Sequence, residues 1–202
     1  MKLFMSPGSC SLGPHIALRE AGLPFATVKV DLRAKKTADG GDYRAVNPKG
    51  AVPALELDDG QVLTEGSAIY QYIADLKPET KLAPPAGRME RYRLQEWLNY
   101  VASEIHKGLA VLFRPGLAPE VQQMFKDRVG AQLDFLSKSL EKKSYLMGEG
   151  YTVADSYLYA ILSQWPPKFG IDIGKWPVIK AYLDRVAARP AVQATLKAEA
   201  AA

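Results

Sequence analysis

The apolar residues of this chain change their period once, and a group of prolines marks the place. Pro78, Pro84 and Pro85 follow one another closely, and prolines this near together break any helix and stiffen the connection. Upstream, short apolar runs alternate with turn signals. Downstream, apolar residues recur every three or four positions. The pattern predicts an N-terminal unit over residues 1–78, a linker over 79–86 and an all-helical unit over 87–202, and 202 residues suffice for two small cores.

Within the first unit, residues 2–5 read as a buried strand. Residues 13–20 carry helical spacing at Ile16, Ala17 and Leu18, with Pro14 in the first turn and Gly22 as the stop. Residues 25–31 alternate as a strand, which completes a βαβ unit. A polar stretch with Lys35, Lys36, Gly40 and Gly41 follows and is assigned no element. Asn47-Pro48-Lys49-Gly50 reads as a turn. Residues 54–57 and 61–63 flank Asp58-Asp59-Gly60, a strong hairpin signal, and a helix over 66–76 comes next. The order βαβ then ββα is that of a thioredoxin-like α/β fold.

Beyond the prolines, Leu94, Trp97, Leu98, Val101, Ile105, Leu109 and Leu112 mark one long amphipathic helix, and Val121, Phe125, Val129, Leu133, Leu136 and Leu140 another. A third runs over 152–164 and stops at Pro166-Pro167. Two short helices flank Arg189-Pro190. Thr152 and Asp155 have the spacing of a capping box, a folding role.

The net charge of +4 comes from scattered basic residues interleaved with acids, whereas a nucleic-acid surface needs a clustered basic face. Leu3, Phe4 and Met5 form too short an apolar run for a signal peptide, and no later run has the length of a membrane helix. A cytoplasmic location is expected, with no nucleic-acid and no membrane partner. No Cys/His cluster has the spacing of a metal site.

The single cysteine, Cys10, lies in Ser6-Pro7-Gly8-Ser9-Cys10-Ser11, between the first strand and the first helix. Free N–H groups and the helix dipole there predict a thiol pKa lowered toward thiolate. Position 13, where a dithiol enzyme needs its second cysteine, is Gly13, so Cys10 can pair only with an outside thiol. Val52-Pro53 stands where a thioredoxin-like domain places a cis-proline, which would leave the Val52 backbone facing the Cys10 loop to receive an extended peptide; a plain trans proline at a strand edge is the alternative, and the sequence does not decide the isomer. The turn Thr64-Glu65-Gly66-Ser67 opens a helix. Its N–H groups suit a carboxylate and Glu65 an ammonium, although plain capping is the commoner use of such residues. Asn99, Ser103 and His106, spaced i, i+4, i+7, share one helix face, with His106 a candidate donor or acid near neutral pH. His15 reads as structural.

The stretches KLFMSPGSCSLGPHIALREAG, VNPKGAVPAL, LDDGQVLTEGSAIYQYIAD, EWLNYVASEIHKG and YTVADSYLY together resemble the cytosolic glutathione transferases, and most closely their bacterial beta class. The resemblance implies a homodimer with glutathione along the N-terminal domain, as co-substrate and with no other cofactor. It implies Cys10 beside the glutathione sulfur, Lys35 on the glycyl carboxylate, Val52 with Pro53 on the cysteinyl backbone, and Glu65 with Gly66 at the γ-glutamyl end. His106 would lie near the sulfur, while Asn99, Ser103 and Glu104 would reach glutathione in the neighbouring subunit. A small hydrophobic electrophile would meet Phe113 and Trp165. Met5 stands where relatives often place Tyr, and Gly66 where many other classes have Ser, so a tyrosine or serine mechanism does not transfer. The reaction implied is thiolate attack on the electrophile by conjugation or dehalogenation, with thiol transfer through Cys10 as a further activity. A monothiol disulfide reductase or peroxidase and a non-enzymatic binding or scaffold protein are the alternatives.

Overall fold

A computed structural model describes all residues from Met1 to Ala202. Strand β1 (Lys2–Met5) leads through helix α1 (Leu12–Glu20) to β2 (Ala26–Asp31), which runs parallel to it. The hairpin β4 (Ala54–Glu56) and β5 (Val62–Thr64) pairs antiparallel and adds to the other edge of β1, and α3 (Gly66–Leu76) follows. The polar stretch after β2, which carries no periodic signal, holds two more elements: β3 (Lys36–Thr37) and a single turn of helix, α2 (Tyr43–Val46). Asp42 caps that turn by accepting the Arg44 N–H at 2.9 Å. These elements are too short for any period to show, so local capping and one edge pairing decide them. The result is a mixed five-stranded sheet in the order β3-β2-β1-β4-β5.

Alternation along β1 separates two cores. Leu3 and Met5 join a cluster of 38 buried residues shared with α1, α3 and the helical half. Phe4 points to the other face, where Val30, Tyr43, Val52 and Ala54 form a small cluster of their own. Tyr43, brought there by α2, also donates from its hydroxyl to the Ala51 carbonyl at 2.8 Å, fixing the segment that precedes Pro53.

After a 3₁₀ turn at Pro78–Thr80, helix α4 (Met89–Tyr100) begins the helical half. The single long helix expected through Leu112 is one continuous run with a defect. Residues Val101–His106 form a wider π-type turn before α5 (Lys107–Val111) resumes normal winding. Hydrophobic spacing cannot show the insertion of one residue per turn, because apolar positions three to five apart still fall on one side. Helix α6 (Pro119–Leu140) and helix α7 (Val153–Leu162) follow, then 3₁₀ turns at Pro166–Phe169 and Ile173–Lys175, and finally α8 (Pro177–Ala187) and α9 (Pro190–Ala200).

All ten residues of α7 are buried, which makes it the central post of the molecule. The expected capping box is present: Asp155 accepts from the Thr152 N–H at 2.8 Å, and also from the Leu146 N–H at 2.9 Å and the Tyr182 hydroxyl at 3.0 Å. Helix α1 is tied to the far end of the chain. His15 Nδ1 lies 3.0 Å from Glu199, the two side chains being 1% and 6% exposed, and Arg189 grips Glu20 with two bonds of 2.6 and 2.8 Å. Removing Glu199 would leave the buried Nδ1 of His15 without its partner, which costs about 1 to 3 kcal/mol. His15 is structural, as expected.

Candidate functional site

The Cys10 loop is stitched to itself. The Ser11 N–H goes to Ser9 Oγ at 3.2 Å, the Leu12 N–H to the Ser9 carbonyl at 3.3 Å and the Gly13 N–H to the Cys10 carbonyl at 3.3 Å. Ser11 Oγ closes the loop by accepting the Ser6 N–H at 3.0 Å. Of the N–H groups expected to stabilise a thiolate, those of Ser11, Leu12 and Gly13 are therefore spent elsewhere, and only that of Cys10 itself remains. Burial pushes the Cys10 thiol up to about 11, and its own N–H and the Lys107 charge only partly offset this. The S–H donates to the Val52 carbonyl at 3.3 Å, a bond that needs the proton in place. The expectation of a lowered pKa is corrected for the ligand-free site: desolvation outweighs the helix tip.

The Val52-Pro53 bond is cis. Of the Val52 backbone groups expected to be open, the carbonyl is taken by Cys10. The preceding turn is held by Asn47, whose Nδ2 donates to the Ala51 carbonyl at 2.7 Å. Lys35 Nζ, expected to meet a carboxylate, donates to the Gly50 carbonyl at 2.8 Å. Glu65 precedes α3 with φ 70°, and the N–H groups of Ala68 and Ile69 both bond its carbonyl. That leaves the Gly66 and Ser67 N–H groups at the helix tip for a ligand. The Glu65 carboxylate pairs with Lys49, whose hydrogen bond holds it below the usual carboxylate range.

From the helical half, Asn99 and His106 reach the same cleft, but the third member of the expected stripe does not. The wider turn at Val101–His106 places Ala102 between them, while Ser103 stays exposed outside the cleft. Glu104 is half-buried and accepts from Arg128 at 2.9 Å. His106 lies edge-on to Trp165 with centroids 4.9 Å apart, and its Nδ1 is 2.7 Å from the Tyr157 hydroxyl. Burial, helped by the Lys107 charge, lowers His106 to about 4. At neutral pH the ring is uncharged and offers one N–H, so it is a hydrogen-bond donor rather than an acid.

These parts enclose a cleft of about 610 Å³ lined by Cys10, Val52, Pro53, Glu65, Gly66, Asn99 and His106, among others. A second cavity of about 380 Å³ adjoins it, lined by the Ser6–Cys10 loop, Leu32, Lys35, Val52, Phe113 and Trp165. Phe113 and Trp165 meet edge to face at 5.0 Å, and Trp165 Nε1 donates to the Gly8 carbonyl at 3.3 Å. Cys10, Ala51 and Val52 line both cavities. No group of acidic, histidine and cysteine side chains could hold a metal ion, and no helix is long and apolar enough to cross a membrane.

Sequence reasoning misses Lys49, Lys107 and Tyr157, all of which line the larger cleft. Lys49 sits in a segment legible only as a turn. Lys107 adjoins His106 and lines the cleft while remaining exposed, so it reads in the sequence as an ordinary surface lysine. Tyr157 lies two residues past Asp155 on a helix whose cap explains the whole stretch.

Comparison with known proteins accords with this geometry. Residues 8–76 match the family model for the glutathione S-transferase N-terminal domain and residues 93–190 that for the C-terminal domain. The chain is 45% identical to the glutathione S-transferase GstA of Escherichia coli O157:H7 over 98% of each chain. It superposes with a TM-score of 0.97 on BphK, a bacterial transferase solved as a ternary complex, at 50% identity over 99% of this chain and 100% of the other. A sphingomonad glutathione S-transferase complexed with glutathione gives 0.96 at 48% identity, with both chains fully covered.

Proposed function

This chain belongs to the glutathione S-transferase family, and from that premise we propose that it binds glutathione along the larger cleft and directs the sulfur at an electrophile in the smaller one. The enzyme is a glutathione transferase. The observation that carries the reading is the junction: Cys10, Ala51 and Val52 are common to both cavities, so a sulfur beside Cys10 faces both.

In this reading residues 1–78 form the glutathione-binding domain, joined by 79–86 to the helical domain of 87–202. Glu65 and the Gly66 N–H hold the ammonium and carboxylate of the γ-glutamyl end, with Lys49 yielding part of its bond to Glu65. Val52, set by Pro53, bonds the cysteinyl backbone, and the glycyl end passes the junction of the two cavities to Lys35, which lines the smaller one and turns from Gly50 to the carboxylate. Fixed donors about the sulfur lower its pKa, so that thiolate attacks a small hydrophobic electrophile on Phe113 and Trp165. Conjugation and dehalogenation both fit. No cofactor is needed, because glutathione supplies the nucleophile. A homodimer is supported by the exposed apolar side chains of Val62, Leu76, Met89 and Tyr92 on β5, α3 and α4. In it Ser103 and Glu104, which lie outside the cleft, are directed to glutathione bound in the partner subunit, whereas Asn99, expected to join them, lines the cleft of its own subunit. The working compartment is the cytoplasm.

Thiol transfer is the second activity. A Cys10 thiolate attacks the glutathione sulfur of a mixed disulfide, releases the other thiol and becomes glutathionylated; a second glutathione then restores it and leaves as oxidised glutathione. Cys10→Ala separates the two reactions. Conjugation to an aryl halide is expected to survive and thiol transfer to vanish. Loss of both would overturn the assignment of glutathione as the conjugating nucleophile, and failure to bind glutathione in calorimetry would favour a non-enzymatic binding protein.

A further inference from the structure

The buried phenol that bonds His106 has no role in the chemistry so far. We infer that Tyr157 is a positioning residue for the reaction: its hydroxyl donates to His106 Nδ1 and so fixes the ring tautomer whose Nε2–H serves the glutathione sulfur. The inference rests on the proposed glutathione site.

The contact is short, at 2.7 Å, and the two rings stand nearly perpendicular, at 89°. Tyr157 packs against Tyr70 with centroids 5.0 Å apart, and Trp165 backs the imidazole from its own side. Neither ring can swing away without disturbing the central helix α7. The phenol oxygen has no other hydrogen-bond partner, and Nδ1 is the only nitrogen of His106 with a protein partner. A phenol is the better donor of the two, and an uncharged imidazole has one lone pair to accept with. The proton of the ring then belongs on Nε2.

Titratable groups around the pair come from every side: Cys10 from the first loop, Glu65 from the tip of α3, Tyr70 from α3, and Lys107 next along the helix from His106. Burial pushes the Tyr157 hydroxyl up, with Cys10 and Glu65 acting the same way, so the phenol keeps its proton. Burial likewise keeps the imidazole neutral. The pair therefore presents a fixed N–H dipole rather than a charge. Such a dipole favours the thiolate over the thiol as charge develops on the sulfur. Met5, buried in β1, offers no phenol there. Tyr157 reaches the same chemistry from the opposite half of the molecule, one step removed through His106.

Tyr157→Phe removes the hydroxyl and keeps the ring against Tyr70. The readout is the pH dependence of kcat/KM with an aryl halide, measured beside His106→Asn and the double variant, with glutathione binding followed by calorimetry. The apparent pKa of the bound thiol is expected to rise by about 0.5 to 1 pH unit and kcat at neutral pH to fall about three- to tenfold. The loss falls on kcat more than on glutathione affinity, and the double variant is no worse than His106→Asn alone. An unchanged pH profile, or two losses that multiply, would overturn the role. Long-range ¹H–¹⁵N spectra of the unaltered protein, which has only two histidines, read the tautomer without any variant, and a proton found on His106 Nδ1 also refutes it. Absence of glutathione binding to the unaltered protein would instead remove the site reading on which the inference rests.

Discussion

Raising the pH of the ligand-free enzyme titrates Cys10 alone among thiols, because the chain has one cysteine. Burial and the S–H bond to Val52 place the folded value at about 11, against 9.0 for an unperturbed thiol. At pH 7 roughly one molecule in ten thousand then carries thiolate, against roughly one in a hundred for the unfolded chain, so alkylation by iodoacetamide should be about a hundredfold slower in the folded protein. The same displacement bears on stability. The fold favours the protonated form, so its contribution, at most about 3 kcal/mol, is fully present below pH 9 and is lost as pH rises towards 11. Alkylation rates on intact and urea-unfolded protein across pH 6 to 11 give both midpoints from one reagent. A folded midpoint at or below that of the unfolded chain would refute the reasoning, since the helix tip would then outweigh desolvation.

Three further outcomes are expected. Asp155→Ala leaves the Leu146 and Thr152 N–H groups and the Tyr182 hydroxyl without their acceptor, and should cost at least about 3 kcal/mol in urea unfolding. Glu65→Gln removes the countercharge at the tip of α3 and should weaken glutathione binding about tenfold or more by calorimetry, the scale of a hydrogen bond to a charged group. Phe113 is 47% exposed, so Phe113→Ala should change stability by less than about 1 kcal/mol while raising KM for an aryl electrophile several-fold; a lowered melting temperature with unchanged KM would dismiss the smaller cavity as the electrophile site.

Strong local signals in the sequence are matched by the fold. The turn Asp58-Asp59-Gly60 makes its hairpin, the helix over 66–76 begins and ends as expected, and Thr152 and Asp155 form their box. Each of these is decided by neighbours within a few residues. The elements that escape a sequence reading are of two kinds. β3 and α2 are too short for periodicity, and the π-type turn leaves the apolar side of its helix intact, with Ala102 rather than Ser103 lining the cleft. The state of Cys10 escapes for another reason: its position beside a helix tip is visible in the sequence, but the side-chain hydroxyls that consume the N–H groups, and the carbonyl that accepts the S–H, depend on how the loop closes. The partner of Tyr157 lies 51 residues away in the chain, a pairing that only the packed fold creates.

The tie between His15 and Glu199 spans 184 positions of sequence, and it bears on how the protein is made. On a ribosome α1 emerges early, yet the acid that answers its buried imidazole belongs to a helix translated far later. Nascent N-terminal segments commonly settle first, but here the sheet and its first helix must wait with an apolar flank uncovered until α7 and α9 arrive. The N-terminal half thus completes its core only when those helices are made, and a polypeptide arrested before Glu199 should be a client of chaperones rather than half an enzyme.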